Sequence, residues 1–251
     1  MRTILRSTIE PTQRRKGAKT QITGRAKTLS FAPLPLGVFA LIWDCNKHMK
    51  TKVHFLLALA CLSSAALAAP QAFDFKDPKG VNNAVFKLDA PLEAINGNAT
   101  GISGTVTFDP ADPAATKGKI VVATASLHVG NSMQQGHMLS DKWLDAAKYP
   151  EIVFEAKELK NVKTNGDATT ADANGTFTLK GIAKEMMVPV KLTYLKDKLG
   201  QRVPNQKGDL LVIRSTFSIK RSDFGIMPGQ MEEKVSDAIE LTLSIAGASP
   251  R

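Results

Sequence analysis

The chain has 251 residues, with 33 Lys and Arg against 23 Asp and Glu and a formal charge of +10. Such an excess normally points to nucleic acid or an anionic membrane, but its placement excludes both: residues 1–48 hold nine basic and two acidic side chains, whereas residues 69–251 hold 22 and 21. Both cysteines, Cys45 and Cys61, also precede residue 69, so disulfides, thiolate nucleophiles and cysteine metal sites are excluded from the part that follows.

Residues 1–48 read as an upstream extension without a fold, or as translation assigned too far upstream with Met49 the true start. Arg14-Arg15-Lys16 precedes an apolar stretch from Leu29 to Trp43, but Pro33 and Pro35 interrupt it and no small-residue cleavage site follows. Met49 is a second beginning. Met49-Lys50-Thr51-Lys52 is a basic opening, Val53 to Ala60 is an apolar run that weakens towards Ala66, and Ala66-Leu67-Ala68 is an A-x-A cleavage site. These are the three parts of a secretory signal peptide, so 49–68 is expected to direct export to the periplasm and 69–251 to be the mature domain.

Alternation with period two dominates the mature segment. Val106 and Phe108 share one face of a strand that Asp109-Pro110 ends, and Lys119 to Val129 reads as a long strand. The one helix is expected to start at Ser140 as N-cap, to carry Trp143, Leu144 and Ala147 on one face, and to stop at Tyr149-Pro150. Next comes Glu151 to Lys157, with Ile152, Phe154 and Ala156 on one side and Glu155 and Lys157 on the other. Asn165-Gly166 and Lys180-Gly181 supply turns, and Gly175 inside a strand pattern predicts a bulge or a close backbone approach. Phe177 and Leu179, then Val188 to Tyr194, then Leu211 to Ile219 repeat the scheme around a loop at Gly200 to Gly208. Ile239, Leu241, Leu243 and Ile245 alternate with Glu240, Thr242 and Ser244 in the last strand. Eight or nine strands and one short helix, without strand–helix alternation, predict an all-β antiparallel barrel or sandwich.

Catalytic signals are sparse. His128 and His137 have no third ligand near them in sequence, Asp223-Phe224-Gly225 lacks every other kinase element, and no nucleophile elbow, Walker loop or dinucleotide fingerprint occurs. No catalytic residue, metal or cofactor is expected, and the chain reads as a binding or structural protein rather than an enzyme.

The segments WLDAAKYPEIVF (143–154) and RSDFGI (221–226), with the hairpin GTFTLKGIAKEMMVPVKLTY (175–194), TVTFDPADP (105–113) and VSDAIELTLSI (235–245), resemble the YceI-like family of secreted bacterial proteins. The likeness runs from about Phe73 to Ala246. It implies an eight-stranded antiparallel lipocalin-like β-barrel in the periplasm, and binding of a long apolar lipid such as a polyisoprenoid or fatty amide inside it. Two stretches, Leu88 to Pro91 and Asn131 to Met138, depart from the family's pattern.

The expected apolar interior comprises Phe108, Leu127, Trp143, Ile152, Phe154, Phe177, Leu192, Phe217 and Phe224. Sequence leaves open whether these line a ligand tunnel or fill a solid core. Trp143 reads as a plug over one barrel end or as a ligand platform. His137, Arg221 and Asp223 are candidates for polar headgroup contacts, with an Arg221–Asp223 ion pair fixing the turn as the alternative reading. Met133, Met138, Met227 and Met231 suit an adaptable entrance. The expected partner is an apolar lipid, not nucleic acid, and sequence leaves monomer and homodimer open. N-terminal sequencing of the exported protein should find Ala69 first; a product that retains residues 1–48 overturns the signal-peptide reading.

Overall fold

The computed structural model describes residues 69–251; the signal-peptide and extension readings fall on 1–68, outside the described residues. Eleven strands form one antiparallel sheet: β1 (Gln71–Asp74), β2 (Asn83–Asp89), β3 (Ala94–Ala99), β4 (Ile102–Phe108), β5 (Lys117–Ala123), β6 (Leu127–Val129), β7 (Glu151–Asn165), β8 (Ala168–Leu179), β9 (Ile182–Leu195), β10 (Gly208–Lys220) and β11 (Ala238–Pro250). Helix α1 (Ser132–Leu139) lies between β6 and β7, and the four-residue α2 (Leu199–Arg202) lies in the loop before β10.

Three pairs of short strands each act as one bent stave. β1 and β2 both border β11, β4 and β3 border β1 and β2 respectively, and β5 and β6 border β4 and β3. Counted as staves, the barrel has eight, each beside its sequence neighbour, and it closes where β11 meets β1 and β2. The expected eight-stranded antiparallel barrel is therefore formed. The stretch Lys119 to Val129 is broken by a tight turn at Thr124–Ser126. There the Ser126 hydroxyl accepts from Gly101 N–H at 3.0 Å and donates to the Ala123 carbonyl at 2.7 Å, so two staves bend together.

Local chemistry accounts for the hairpins. Lys180 and Gly181 both have positive φ (49° and 75°), as a two-residue loop between right-twisted strands requires. A Cβ added at Gly175 would sit 2.2 Å from the Glu155 carbonyl oxygen, and the β7–β8 register shifts between Ala156 and Glu158. The glycine marks both a close approach and a bulge.

The helix is displaced from its expected place. Asn131 is the N-cap, its Oδ1 accepting from the N–H of Met133 (2.9 Å) and Gln134 (3.1 Å). Ser140 instead ends the helix, and its N–H and hydroxyl both donate to the His137 carbonyl (3.1 and 2.7 Å). Residues 140–149 form a chain of turns with Asp145 at φ 50°, which interrupts helical continuation. An Asn cap followed by a glycine-containing turn of helix outcompeted the serine signal.

Closure is reinforced where β1 hands over to β2 along β11. Asn82 is buried; its amide donates to the carbonyls of Phe75 (3.0 Å) and Ala246 (3.1 Å), and its Oδ1 accepts from Ala246 N–H (2.9 Å) and Arg202 (3.0 Å). A side-chain amide thus replaces a missing rung of the ladder, with all its hydrogen-bonding capacity used. Asp77 holds the intervening turn through the N–H groups of Lys79, Val81 and Asn82, and pairs with Arg202 at 2.9 Å.

One end of the barrel is packed solid. Phe73, Phe75, Val106, Phe108 and Leu211 are almost wholly buried there, and Tyr194 meets Phe73 and Phe108 with ring centroids 6.3 and 6.0 Å away. The Tyr194 hydroxyl donates to the fully buried Asp209 at 2.7 Å, and Asp209 also accepts from Asp197 N–H at 2.7 Å and from Arg251. Burial pushes the Tyr194 phenol up to about 12, helped by the Asp209 charge. Burial also opposes ionisation of Asp209, but its three donors outweigh it and hold the carboxyl below its ordinary value.

These shifts fix the sign of the pH dependence. Asp209 contributes stability above its unfolded value near 4 that is lost as pH falls through the lower folded value; Tyr194 contributes stability that is lost between about pH 10 and 12. Asp209→Asn should cost about 1–3 kcal/mol at neutral pH and flatten part of the acid limb. Urea melts between pH 2 and 8 measure this, and an unchanged acid limb in the variant is the contrary outcome.

Candidate functional site

The other half of the barrel is hollow. Its cavity has a volume of about 890 Å³ and reaches from Ala173, Leu192 and Ile213 above the packed end to a mouth bordered by α1 and the 227–235 segment. The inward faces of Ile152, Phe154, Phe217, Ile239 and Leu241 remain only half-buried, because they face space instead of one another. Each alternates with outward Glu155, Lys157, Ser218 or Glu240, as the period-two pattern requires.

The space comes from small side chains at inward positions. Ala84, Ala99, Gly118, Ala156 and Ala173, from five staves, all border the cavity. On β8 the inward row is Thr169, Ala171, Ala173, Gly175, Phe177 and Leu179, and all six are buried. Small residues low on the wall leave the volume that Phe177 and Leu179 begin to occupy nearer the mouth. An eight-stranded barrel filled by large residues at these positions would have no room for a ligand.

Seven of the nine expected interior residues border the cavity: Leu127, Trp143, Ile152, Phe154, Phe177, Leu192 and Phe217. Phe108 and Phe224 do not. Phe108 belongs to the packed end beside Tyr194, and Phe224 lies behind Phe177, rings edge to face at 5.6 Å. Both are core residues: alternation gives Phe108 a face but not a height along the barrel, and Phe224 lies in the turn after β10, where strand alternation no longer applies. Of the small residues only Ala156 is legible as inward from the alternation; Ala84, Ala99, Gly118 and Ala173 carry no such signal, because the pattern of large apolar residues does not mark the positions that create space.

The mouth lies where β6 and β7, adjacent staves, have no shared ladder; α1 and the turns at 140–149 fill that gap. Met133, Met138, Met227 and Met231 all border it, with Met133 and Met231 exposed to 71% and 51%. Among the polar groups at the rim are Glu93, Gln134, His137, Lys142 and Lys234. Tyr149-Pro150 anchors the turns to the wall, with Thr124 donating its N–H to the Pro150 carbonyl and its hydroxyl to the Tyr149 carbonyl, both at 2.8 Å.

Arg221 and Asp223 do not pair with each other. Asp223 points outward and pairs with Lys184 at 3.1 Å, away from the cavity. Arg221 is buried to 1% exposure, and its five N–H groups go to backbone carbonyls of Ser236, Ile226, Met227, Gln230 and Val235. Its guanidinium also lies 5.8 Å from the Trp143 ring centroid, a cation–π contact. Arg221 borders the cavity, but with every donor engaged it ties the 226–236 segment over the barrel end. Asp237 accepts from the N–H and hydroxyl of Ser222, both at 2.9 Å. Burial raises its carboxyl, but these bonds and the nearby Arg221 charge bring it below the ordinary value.

Fold and site together define a class: a closed eight-stranded antiparallel barrel, solid at one end and with an apolar hollow open at the other. The YceI-like domain family matches residues 78–246, and the chain belongs to that family. A UPF0312 protein of Pseudomonas paraeruginosa is 31% identical over 197 residues, covering 76% of this chain and 96% of its own. The crystal structure of Burkholderia cenocepacia BcnA superposes with a TM-score of 0.51 at 22% identity, over 66% of this chain and 94% of that one. A polyisoprenoid-binding domain from Saccharophagus degradans, implicated in plant cell wall breakdown, superposes with a TM-score of 0.52 at 12% identity over 72% and 99%. At these identities the solved structures establish the fold.

Arg221→Met removes five donors from backbone carbonyls, one of them buried and four partly so, and should destabilise the protein by about 3 kcal/mol or more. Arg221→Lys, with three donors, should recover part of that. Hydrogen exchange should rise across 226–236 in both variants; protection equal to the parent in Arg221→Met contradicts the tying role.

Proposed function

We propose that this protein binds a long apolar chain, of polyisoprenoid or fatty-acid type, inside the barrel and carries it unchanged after export to the periplasm. The observation that carries this reading is the hollow of about 890 Å³ walled by apolar side chains. That volume falls in the range of small-molecule sites. An apolar space offers water few hydrogen-bond partners, so a hydrocarbon is the occupant that fits its chemistry. The relative from Saccharophagus degradans, described as polyisoprenoid-binding, supports the same ligand class, and the signal-like segment Met49–Ala68 supports export.

The residues assigned to the chain are those bordering the hollow, chiefly Ile152, Phe154, Phe177, Leu192 and Phe217, with Trp143 and the four methionines at its mouth. They act by burial and shape. The reading is therefore that of a carrier, which holds its ligand without chemistry. The competing reading, a structural barrel with a filled interior, is disfavoured by the half-buried inward side chains.

Affinity should rise with chain length until the hollow is full, by about 0.8 kcal/mol or roughly fourfold per methylene. Titration of alkyl or prenyl ligands of increasing length measures this, alongside mass spectrometry of lipid extracted from the purified protein. Ala173→Phe, which fills the lower hollow, should shift the length optimum to shorter chains. No binding at any length sinks the carrier reading.

A further inference from the structure

A second depression, of about 480 Å³, lies on the outer face of the barrel where β9 and β10 part. Their ladder runs only from Leu210 opposite Leu195 to Ser215 opposite Val190, although β9 begins at Ile182 and β10 continues to Lys220. Pro189 has no N–H for the next rung, and the Ser215 hydroxyl donates to the Pro189 carbonyl at 2.6 Å. Beyond that point side chains close the wall: Phe217, Ile219 and Met186 pack with Phe224, and Lys184 reaches across to Asp223. Val190 and Ser215 border both the inner cavity and the outer groove, so the wall between them is one residue thick.

The groove is cationic. Lys163, Thr170, Lys191 and Arg214 form a row across β7, β8, β9 and β10. Lys191 and Arg214 stand directly opposite each other, an arrangement that costs stability in the absence of a counter-charge. Among the described residues none of the three cations forms an ion pair. Asp172 also lines the groove, where it accepts from Asn161 at 2.7 Å, so the lining holds three cations and one carboxylate. Arg214 gives one donor to the Ser244 hydroxyl at 3.1 Å and keeps others for a ligand.

We propose that this groove binds the anionic head, a carboxylate or phosphate, of an amphiphile whose apolar chain lies in the barrel, the chain passing the β9–β10 seam by displacing Phe217 and Met186, side chains that close the wall there in place of backbone rungs. It rests on the interior-binding reading and adds the chemistry of the ligand's other end. The row of unpaired cations with a net positive charge, the interrupted ladder and the shared wall residues coincide at one place, and an amphiphile uses all three. The head is then held outside the barrel wall instead of at the methionine-rich mouth.

The test is calorimetric titration of the full chain with palmitate and with hexadecanol, which share a chain length and differ in head charge. Palmitate should bind at least about tenfold tighter. That ratio should fall below about twofold in Lys191→Gln/Arg214→Gln and persist in the mouth variant Lys142→Gln/Lys234→Gln. The groove variant should melt at or above the parent temperature, since it removes opposed like charges. Equal binding of the two probes by the parent overturns the groove proposal alone, as does a preference that survives the groove variant or is lost in the mouth variant. Inorganic phosphate titrated by itself separates a lipid head from a free anion: binding as tight as palmitate's makes this a free-anion site and overturns the coupling to the interior. Failure of both palmitate and hexadecanol to bind overturns the interior reading and this proposal together.

Discussion

The ring of backbone hydrogen bonds is the constraint on which the rest depends. Each stave is laddered to a sequence neighbour over at least part of its length, and β11 completes the circle against β1 and β2. Among the described residues, closure leaves unpaired edge only at β6–β7 and along part of β9–β10, and the ring draws its rigidity from main-chain bonds as well as from the core. That is why half of the interior can stay empty without the wall collapsing. The weak place in such a ring is the hand-over from β1 to β2, and there Asn82, Asp77 and Arg202 replace the missing rungs with side-chain hydrogen bonds.

Stability and binding are divided along the barrel axis. The packed end concentrates phenylalanines and Leu211 around Tyr194, and its buried Asp209 is fully partnered. The hollow end gives up that packing. Its apolar walls are left half-buried, a cost that an apolar occupant offsets by restoring burial and dispersion contacts. The same side chains thus lower stability when the hollow is empty and supply affinity when it is full.

At the mouth, two polar devices hold apolar elements in place. Arg221 fixes the 226–236 segment through carbonyls alone, and Asn131 caps the short helix that bridges β6 and β7. Both spend their hydrogen-bonding groups on the backbone, so the rim itself is left to methionines and a few exposed polar side chains. Flexible thioethers at an entrance adapt to a chain whose shape varies. The interrupted β9–β10 ladder is a second place where the wall is kept by side chains.

Strand alternation by itself determined an all-β antiparallel class, the inward faces of β7 to β11, the turn at Lys180-Gly181 and the irregularity at Gly175, because these depend on period, turn chemistry and backbone sterics that act over a few residues; the choice of barrel over sandwich came from the family resemblance. The short strands β1 to β3 were less legible: Ala94 to Ala99 reads AINGNA, and such a segment becomes a strand only when its neighbours supply the ladder. The helix start was misplaced for a related reason, since Asn131 and Ser140 are both competent caps and the surrounding packing chose between them. Only the tertiary structure decided that Phe108 and Phe224 are core while Phe154 and Phe217 border space, because height along a barrel axis depends on the stagger of staves far apart in sequence. It also decided that the interior is hollow. Five small inward residues, each on a different stave, make a cavity only when closure brings them to face one another.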